Sequence, residues 1–196
     1  MFLPETPSAV PTPKTYWDKI GPAKLVILQL PPDDLADASP RYMASMRARK
    51  LDHMTEEQIR LTMRGYYGNL AFADAMLGEV LKALDDLDLR DRTLVAYHVD
   101  HGEMLYEHGL WTKGVFFGPS VRVPLIVRLP GVTPEGKESR ALIEMIDLFP
   151  TIMDILNVAD LPPTVQGRSF LPVLAGKTDR HRDVVRSEHD RSEGRD

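Results

Sequence analysis

The chain has 196 residues, 43% hydrophobic and 27% charged, which is enough apolar material for one packed domain or most of one. Its 29 acidic and 24 basic side chains leave a formal net charge of −5, so it offers no positive footprint for a nucleic-acid backbone or an anionic membrane surface, and neither is expected as a partner. Having no cysteine, it is excluded from disulfide, thiolate-metal and cysteine-nucleophile chemistry within these residues, while the redox compartment stays open.

The opening Met1-Phe2-Leu3-Pro4 has no basic segment and no apolar run of signal length, and no stretch approaches the roughly 18 apolar residues of a membrane span. As written, the chain reads as soluble and cytoplasmic; a preceding segment would make it periplasmic or secreted. Prolines divide it: eight of sixteen lie in residues 1–40, none in 41–118, and eight from Pro119 onward. Each proline fixes φ, lacks a donor and pushes its predecessor out of the helical region. Residues 1–40 therefore read as extended, within a Pro-rich segment taken to residue 54 that has few means of making a core and lies across something larger.

Thr55-Glu56-Glu57-Gln58 is a capping-box signature and predicts a helix start. Ile59, Met63, Tyr66, Leu70, Ala73, Leu77, Val80, Leu81 and Leu84 trace one apolar stripe to about Leu87, roughly nine turns, with Gly65, Gly68 and Gly78 as tolerated weak points. Core packing is the reading for the whole stripe. After Arg90-Asp91-Arg92, the run Thr93–Val99 lacks polar alternation and predicts a strand buried on both faces. A second strand is expected within Val121–Leu129, its first half demoted by Pro124 and its Leu125, Ile126 and Val127 buried. Asp147 reads as the N-cap of a helix through Leu156, with Gly167 and Gly176 bracketing a further short segment. The charged tail, 177–196, contains one more expected strand at Asp183-Val184-Val185-Arg186-Ser187. Helix, short loop and buried strand are the grammar of an α/β fold.

The residues with chemistry begin where the first buried strand ends, at His98-Val99-Asp100-His101-Gly102-Glu103, and strand ends are where open α/β sheets place ligands. Asp100 offers an anionic oxygen and His101 an imidazole nitrogen, both competent for a divalent cation, and Gly102 lets the chain turn directly after them. Two donors do not complete a shell, and an Asp-His pair also serves as a cap or a satisfied polar pair. His108-Gly109-Leu110-Trp111-Thr112-Lys113-Gly114 then brings a second imidazole and an ammonium. Lys113 is suited to a sulfate or phosphate oxygen; its alternative is a solvated lysine beside a buried tryptophan.

The order Tyr66-Tyr67, Asp74, Asp91-Arg92-Thr93, Asp100-His101-Gly102-Glu103, Glu107-His108-Gly109-Leu110-Trp111, Lys113 and Ser120-Val121-Arg122-Val123-Pro124-Leu125-Ile126 resembles the sulfatase family of the alkaline phosphatase superfamily. Ile146-Asp147-Leu148-Phe149-Pro150-Thr151 and Gln166-Gly167-Arg168-Ser169 extend the likeness, which covers roughly residues 56–176. Tyr16-Trp17-Asp18 is weakly similar to iduronate-sulfatase-like and choline-sulfatase-like members. The resemblance implies an α/β fold with a mixed sheet sandwiched by helices, incomplete in this chain, with 55–176 as the C-terminal part of the catalytic domain. It implies Asp100 and His101 as metal ligands, Lys113 as the sulfate-binding lysine and His108 as a catalytic position beside the site. The expected cofactors are a divalent metal, calcium or else magnesium or manganese, and a formylglycine made from the family's Cys/Ser-x-Pro-x-Arg motif.

That motif does not occur in these 196 residues: there is no cysteine, and Ala38-Ser39-Pro40-Arg41 has the wrong spacing. The paired aspartates that supply the family's other metal ligands are also not matched, since Asp33-Asp34 follows Pro31-Pro32 rather than a buried strand. The expectation is a fragment of a sulfuric ester hydrolase acting on a small sulfate ester, with the nucleophile in a missing N-terminal part and the isolated chain inactive. Two alternatives stand beside it. One is a phosphonate or phosphate ester hydrolase of the same superfamily; the other is a non-catalytic metal-binding remnant that associates through exposed sheet edges.

Overall fold

The computed structural model describes residues 11–27, 40–48 and 51–188. Asp33-Asp34, Ser39 and the end of the charged tail lie outside them. The chain divides into two compact units, one formed by the residues up to Arg90 with His101–Val123, the other by Asp91–Asp100 with the residues from Pro124 onward.

The first unit is built on one long helix. Helix α1 (Lys14–Trp17) and a 3₁₀ turn at Pro22–Lys24 precede α2 (Pro40–Ala48), a second 3₁₀ turn at Leu51–His53 and α3 (Glu56–Asp86). The start of α3 is the expected box: Thr55 Oγ1 accepts from the Gln58 amide at 3.3 Å and Gln58 Oε1 accepts from the Thr55 amide at 2.8 Å. Glu56 and Glu57 add negative charge where the helix dipole favours it. Ile59 and Met63 enter a core with Leu25, Tyr42, Met46, Leu51, Met104, Leu110 and Trp111.

Within the Pro-rich opening the described residues 11–27 are less extended than the composition suggests. Pro13 stands at the N-cap of α1, where its fixed φ of −57° suits the entry and its missing donor costs nothing. Gly65 and Gly68 are buried packing sites rather than weak points. Thr12 Oγ1 donates to the Gly65 carbonyl at 3.0 Å, and a Cβ at Gly68 would stand 2.6 Å from Thr12 Cγ2. Arg64 lies over the Trp17 ring at 4.7 Å and donates to its carbonyl at 3.2 Å. The apolar stripe is core only up to Gly68: Leu70, Val80 and Leu81 are exposed, Val80 by 60%, because no described element covers the second half of α3.

In the second unit β1 (Val95–His98) pairs antiparallel with β2 (Leu125–Arg128), Val95 opposite Arg128 and His98 opposite Leu125. Among the described residues these two strands are the whole sheet, so the expected mixed pairing is not visible within them. The expectation of burial on both faces is corrected: residues along β1 alternate between half-buried and exposed, and Ile126 on β2 is 64% exposed. Strand β2 begins only after Pro124. The residues before it form α4 (Gly118–Val121), which belongs to the first unit. Helices α5 (Leu148–Ile155) and α6 (Leu171–Leu174) complete the second unit. The strand expected at 183–187 is not formed: the Arg186 amide donates to Glu144 Oε1 at 2.6 Å, so a carboxylate takes the donor that a ladder would use.

The two glycine environments on α3 have opposite consequences. Nothing lies within 4 Å of a Cβ at Gly78, so Gly78→Ala is expected to raise stability by about 1 kcal/mol through helix propensity. Gly68→Ala is expected to lower it, as Thr12 is displaced. Urea midpoints of the two variants check the opposite signs; equal shifts would contradict the packing role of Gly68.

Candidate active site

The loop from His101 to Gly114 is pinned at its base by a close backbone approach. The Gly102 amide donates to the Ser120 carbonyl at 2.8 Å, and a Cβ at position 102 would lie 1.8 Å from the Pro119 carbonyl oxygen, so no side chain fits. Further along, the Met104 amide donates to the Thr112 carbonyl and the Tyr106 amide to the Leu110 carbonyl, both at 2.8 Å. These bonds fold the segment back on itself. Its own Met104, Leu110 and Trp111 are at most 1% exposed, and the Tyr42 hydroxyl donates to the Trp111 carbonyl. The Trp111 ring packs against Tyr106 at 5.5 Å, while its buried Nε1–H finds no acceptor among the described residues.

Four non-glycine residues of this loop have positive φ: Leu105 at 43°, Tyr106 at 72°, His108 at 54° and Thr112 at 66°. For a bulky leucine or a β-branched threonine that is a true outlier, costing on the order of 1–3 kcal/mol each, and it persists only where the surroundings over-determine it. Such strain concentrates at functional sites. One carboxylate supplies much of the restraint: Glu103 Oε1 accepts from the Leu105 amide at 3.2 Å and from the Thr112 amide at 2.5 Å.

The four candidate side chains are distributed between the units. His101, His108 and Lys113 lie in the first, and Asp100 is the last residue of a segment of the second. His101 is half-buried, and its Nδ1 donates to the Gly102 carbonyl at 2.8 Å, which assigns the lone pair of a neutral ring to Nε2. A ring nitrogen oriented by a carbonyl in this way is the usual arrangement behind a metal-bound histidine. The His108 ring stacks on Phe117 at 4.3 Å with an interplanar angle of 22°. Lys113 and Asp100 are exposed. Among the described residues no group of three His, Cys, Asp or Glu side chains is gathered closely enough to hold a metal, so Asp100 and His101 supply two fitting donors and not a shell.

The sulfatase family profile matches residues 22–158. The chain belongs to the sulfatase family. Arylsulfatase K of Mus musculus is 35% identical over 163 residues, 83% of this chain and 28% of that protein. Choline-sulfatase of Rhizobium meliloti (strain 1021) is 34% identical over 149 residues, 75% of this chain and 28% of that one. Among solved structures, the phosphonate monoester hydrolase SpPMH from Silicibacter pomeroyi superposes with a TM-score of 0.76 at 31% identity, over 93% of this chain and 37% of that chain. The fold is thus that of the alkaline phosphatase superfamily, and the chain spans just over a quarter of the length of these curated relatives. No described helix is long and apolar enough to cross a membrane.

In the second unit of this sulfatase chain a buried polar group is satisfied on every side at Asp147. The residue occupies the expected N-cap position of α5, although its side chain makes no cap bond. Its fully buried carboxylate instead takes a bidentate fork from Arg182, through Nη2 to Oδ1 and through Nε to Oδ2 at 2.8 Å. It also accepts the Arg168 amide at 2.8 Å, the Glu144 amide at 3.0 Å and His181 Nε2 at 3.1 Å. Gly167 makes this possible, since a Cβ there would stand 1.9 Å from the Ile146 carbonyl oxygen. Thr151 Oγ1 donates to the Asp147 carbonyl at 2.6 Å and accepts the Phe170 amide at 3.0 Å, so the same corner holds the start of α6.

Arg182 is one charged residue in a charged stretch of the sequence, and Glu103 stands in the Asp100-His101-Gly102-Glu103 run with no role of its own attached to it. The partial signals are Gly102 and Gly167, each beside the carboxylate-binding turn it permits. Burial works to raise the Asp147 pKa, but the Arg182 hydrogen bond, the Arg168 and Glu144 amides and the Arg182 charge overcome it and hold the carboxyl well below the usual range. The Asp147 hydrogen bond in turn raises the Arg182 pKa.

A depressed folded-state pKa gives stability that is fully present above the unfolded value of about 3.9 and lost as pH falls through the folded one. Asp147→Asn is therefore expected to cost about 3 kcal/mol near neutral pH by breaking the buried pair, Arg182 keeping only its 3.1 Å contact with Glu144 Oε2. The gap to the unsubstituted chain should narrow as pH falls below about 4. Urea unfolding across that range checks it; a gap that widens toward acid would contradict the assignment.

Proposed function

We propose that the chain carries the C-terminal part of the catalytic domain of a sulfuric ester hydrolase and provides the anion-binding half of its active site. The observation that supports this most is a single strained, doubly pinned loop that begins at His101 and delivers Lys113, inside the segment matched by the sulfatase family. In this reading the Lys113 ammonium holds an oxygen of the sulfate group and neutralises charge that develops on it. His101 through Nε2 and Asp100 through its carboxylate are two ligands of a divalent cation, calcium, magnesium or manganese. Such a cation, when bound, polarises the sulfate and stabilises charge on its oxygens. The His108 imidazole is suited to carry a proton to the leaving oxygen.

The formylglycine nucleophile fits no residue here, because the chain holds neither a cysteine nor a Ser-x-Pro-x-Arg string. The attacking group therefore comes from outside these residues, along with the remaining metal ligands. Among the described residues the edges of the two-stranded sheet pair with no third strand and part of α3 is exposed, and association through them is the route by which the rest of such a domain would be met. The likeness to SpPMH favours a second reading, in which the same lysine and metal ligands act on a phosphonate or phosphate monoester.

The purified chain is expected to hydrolyse no 4-nitrophenyl sulfate with calcium or manganese present. Turnover that disappears in Lys113→Ala would contradict the external nucleophile. In a protein that contains these residues together with the nucleophile motif, Lys113→Ala should lower kcat/KM by about 100-fold or more. The ratio of sulfate to phosphonate ester rates in that protein separates the two readings.

A further inference from the structure

We infer that Glu103 is the positioning residue for Lys113, acting through the backbone of Thr112; this rests on the reading of Lys113 as the anion-binding lysine. Thr112 is the residue immediately before Lys113, and its φ of 66° is one a β-branched side chain resists. Both polar groups of the Thr112 backbone are taken. Its amide donates to Glu103 Oε1 at 2.5 Å, and its carbonyl accepts from the Met104 amide at 2.8 Å. On the other side the buried Trp111 ring and the Tyr42 bond to the Trp111 carbonyl fix the chain that enters Thr112.

The same carboxylate oxygen also accepts from the Leu105 amide at 3.2 Å, holding a second left-handed residue. Charge-assisted bonds of this kind are roughly twice as strong as neutral ones, which suits them to hold two strained residues at once. Glu103 follows Gly102 directly, and Gly102 is held by its amide bond to the Ser120 carbonyl at 2.8 Å, at a close approach to Pro119 that leaves no room for a Cβ. The carboxylate thus transfers a fixed backbone position, two residues after His101, to the residue that launches Lys113. Without Glu103, Thr112 is free to relax to negative φ, and the direction of the Lys113 side chain changes with it.

The test uses the full chain labelled for NMR and inorganic sulfate as the probe, with Glu103→Gln, Glu103→Ala, Thr112→Gly and Lys113→Ala. Glu103→Gln keeps an oxygen acceptor. It is expected to retain the left-handed carbon shifts of Thr112, the exchange protection of its amide and a sulfate affinity close to that of the unsubstituted chain. Glu103→Ala should lose the left-handed shifts, exchange the Thr112 amide about 100-fold faster while the Leu110 amide stays protected, and bind sulfate about tenfold more weakly.

The double variant Glu103→Ala with Thr112→Gly, in which glycine adopts positive φ without strain, should recover most of the affinity. Unchanged Thr112 shifts and sulfate affinity in Glu103→Ala would overturn the proposal, as would equal losses in Glu103→Gln and Glu103→Ala. Loss of the Leu110 protection together with that of Thr112 would also overturn it, since Glu103 would then hold the core rather than the lysine. If sulfate perturbs no resonance, or perturbs those of Lys113→Ala equally, the anion reading of Lys113 fails, and the Thr112 shifts and exchange decide separately whether Glu103 holds the loop.

Discussion

A carboxylate accepting two backbone amides inside a strained loop is the constraint on which the candidate site depends. Left-handed conformations at Leu105, Tyr106, His108 and Thr112 are individually unfavourable, and a loop containing four of them relaxes unless its amides have fixed acceptors. Glu103 supplies such an acceptor for two of the four. It does so because Gly102 brings the chain against the Pro119 carbonyl, and because Met104, Leu110 and Trp111 anchor the loop in the core below. Backbone strain, side-chain charge and apolar burial there form one arrangement with Lys113 at its exit.

The second unit repeats the device with different parts. Asp147 gathers backbone amides and the Arg182 fork, Gly167 admits the approach, and Thr151 links the corner to Phe170. Both units thus hold irregular chain by giving its amides a buried or half-buried carboxylate, which costs far less than leaving those donors unpaired. Where that device ends, apolar surface begins. The second half of α3 and Ile126 of β2 expose large hydrophobic side chains in a chain that spans just over a quarter of its curated relatives' length. In the proposed reading, the rest of such a domain would cover those surfaces.

What the sequence revealed was mostly what is local. The Thr55–Gln58 box, the length of α3 and the strand at Val95–His98 arise from capping chemistry and periodicity, and they formed close to where expected. The family was legible from the order of Asp100-His101-Gly102, His108, Lys113 and Asp147. The misreadings concern tertiary context. Periodicity marks Leu70 and Val80 as apolar but not what covers them. The Val184-Val185 pair looks like a strand until Arg182, His181 and Arg186 tie that segment to Asp147 and Glu144. Gly65 and Gly68 look like flaws in a helix because the chain they accommodate is some fifty residues away in sequence. Glu103 was visible as a letter but not as a clamp, since its partners are amides, and amides carry no sequence signature.

The most direct test of the central claim, that these residues complete a site whose nucleophile lies outside them, is to read the gene upstream of the Met1 codon in the same frame for several hundred bases. The account predicts an open frame encoding a Cys/Ser-x-Pro-x-Arg motif preceded by a strand that ends in paired aspartates. An immediate stop codon with an independent promoter, and no such motif nearby, would contradict it.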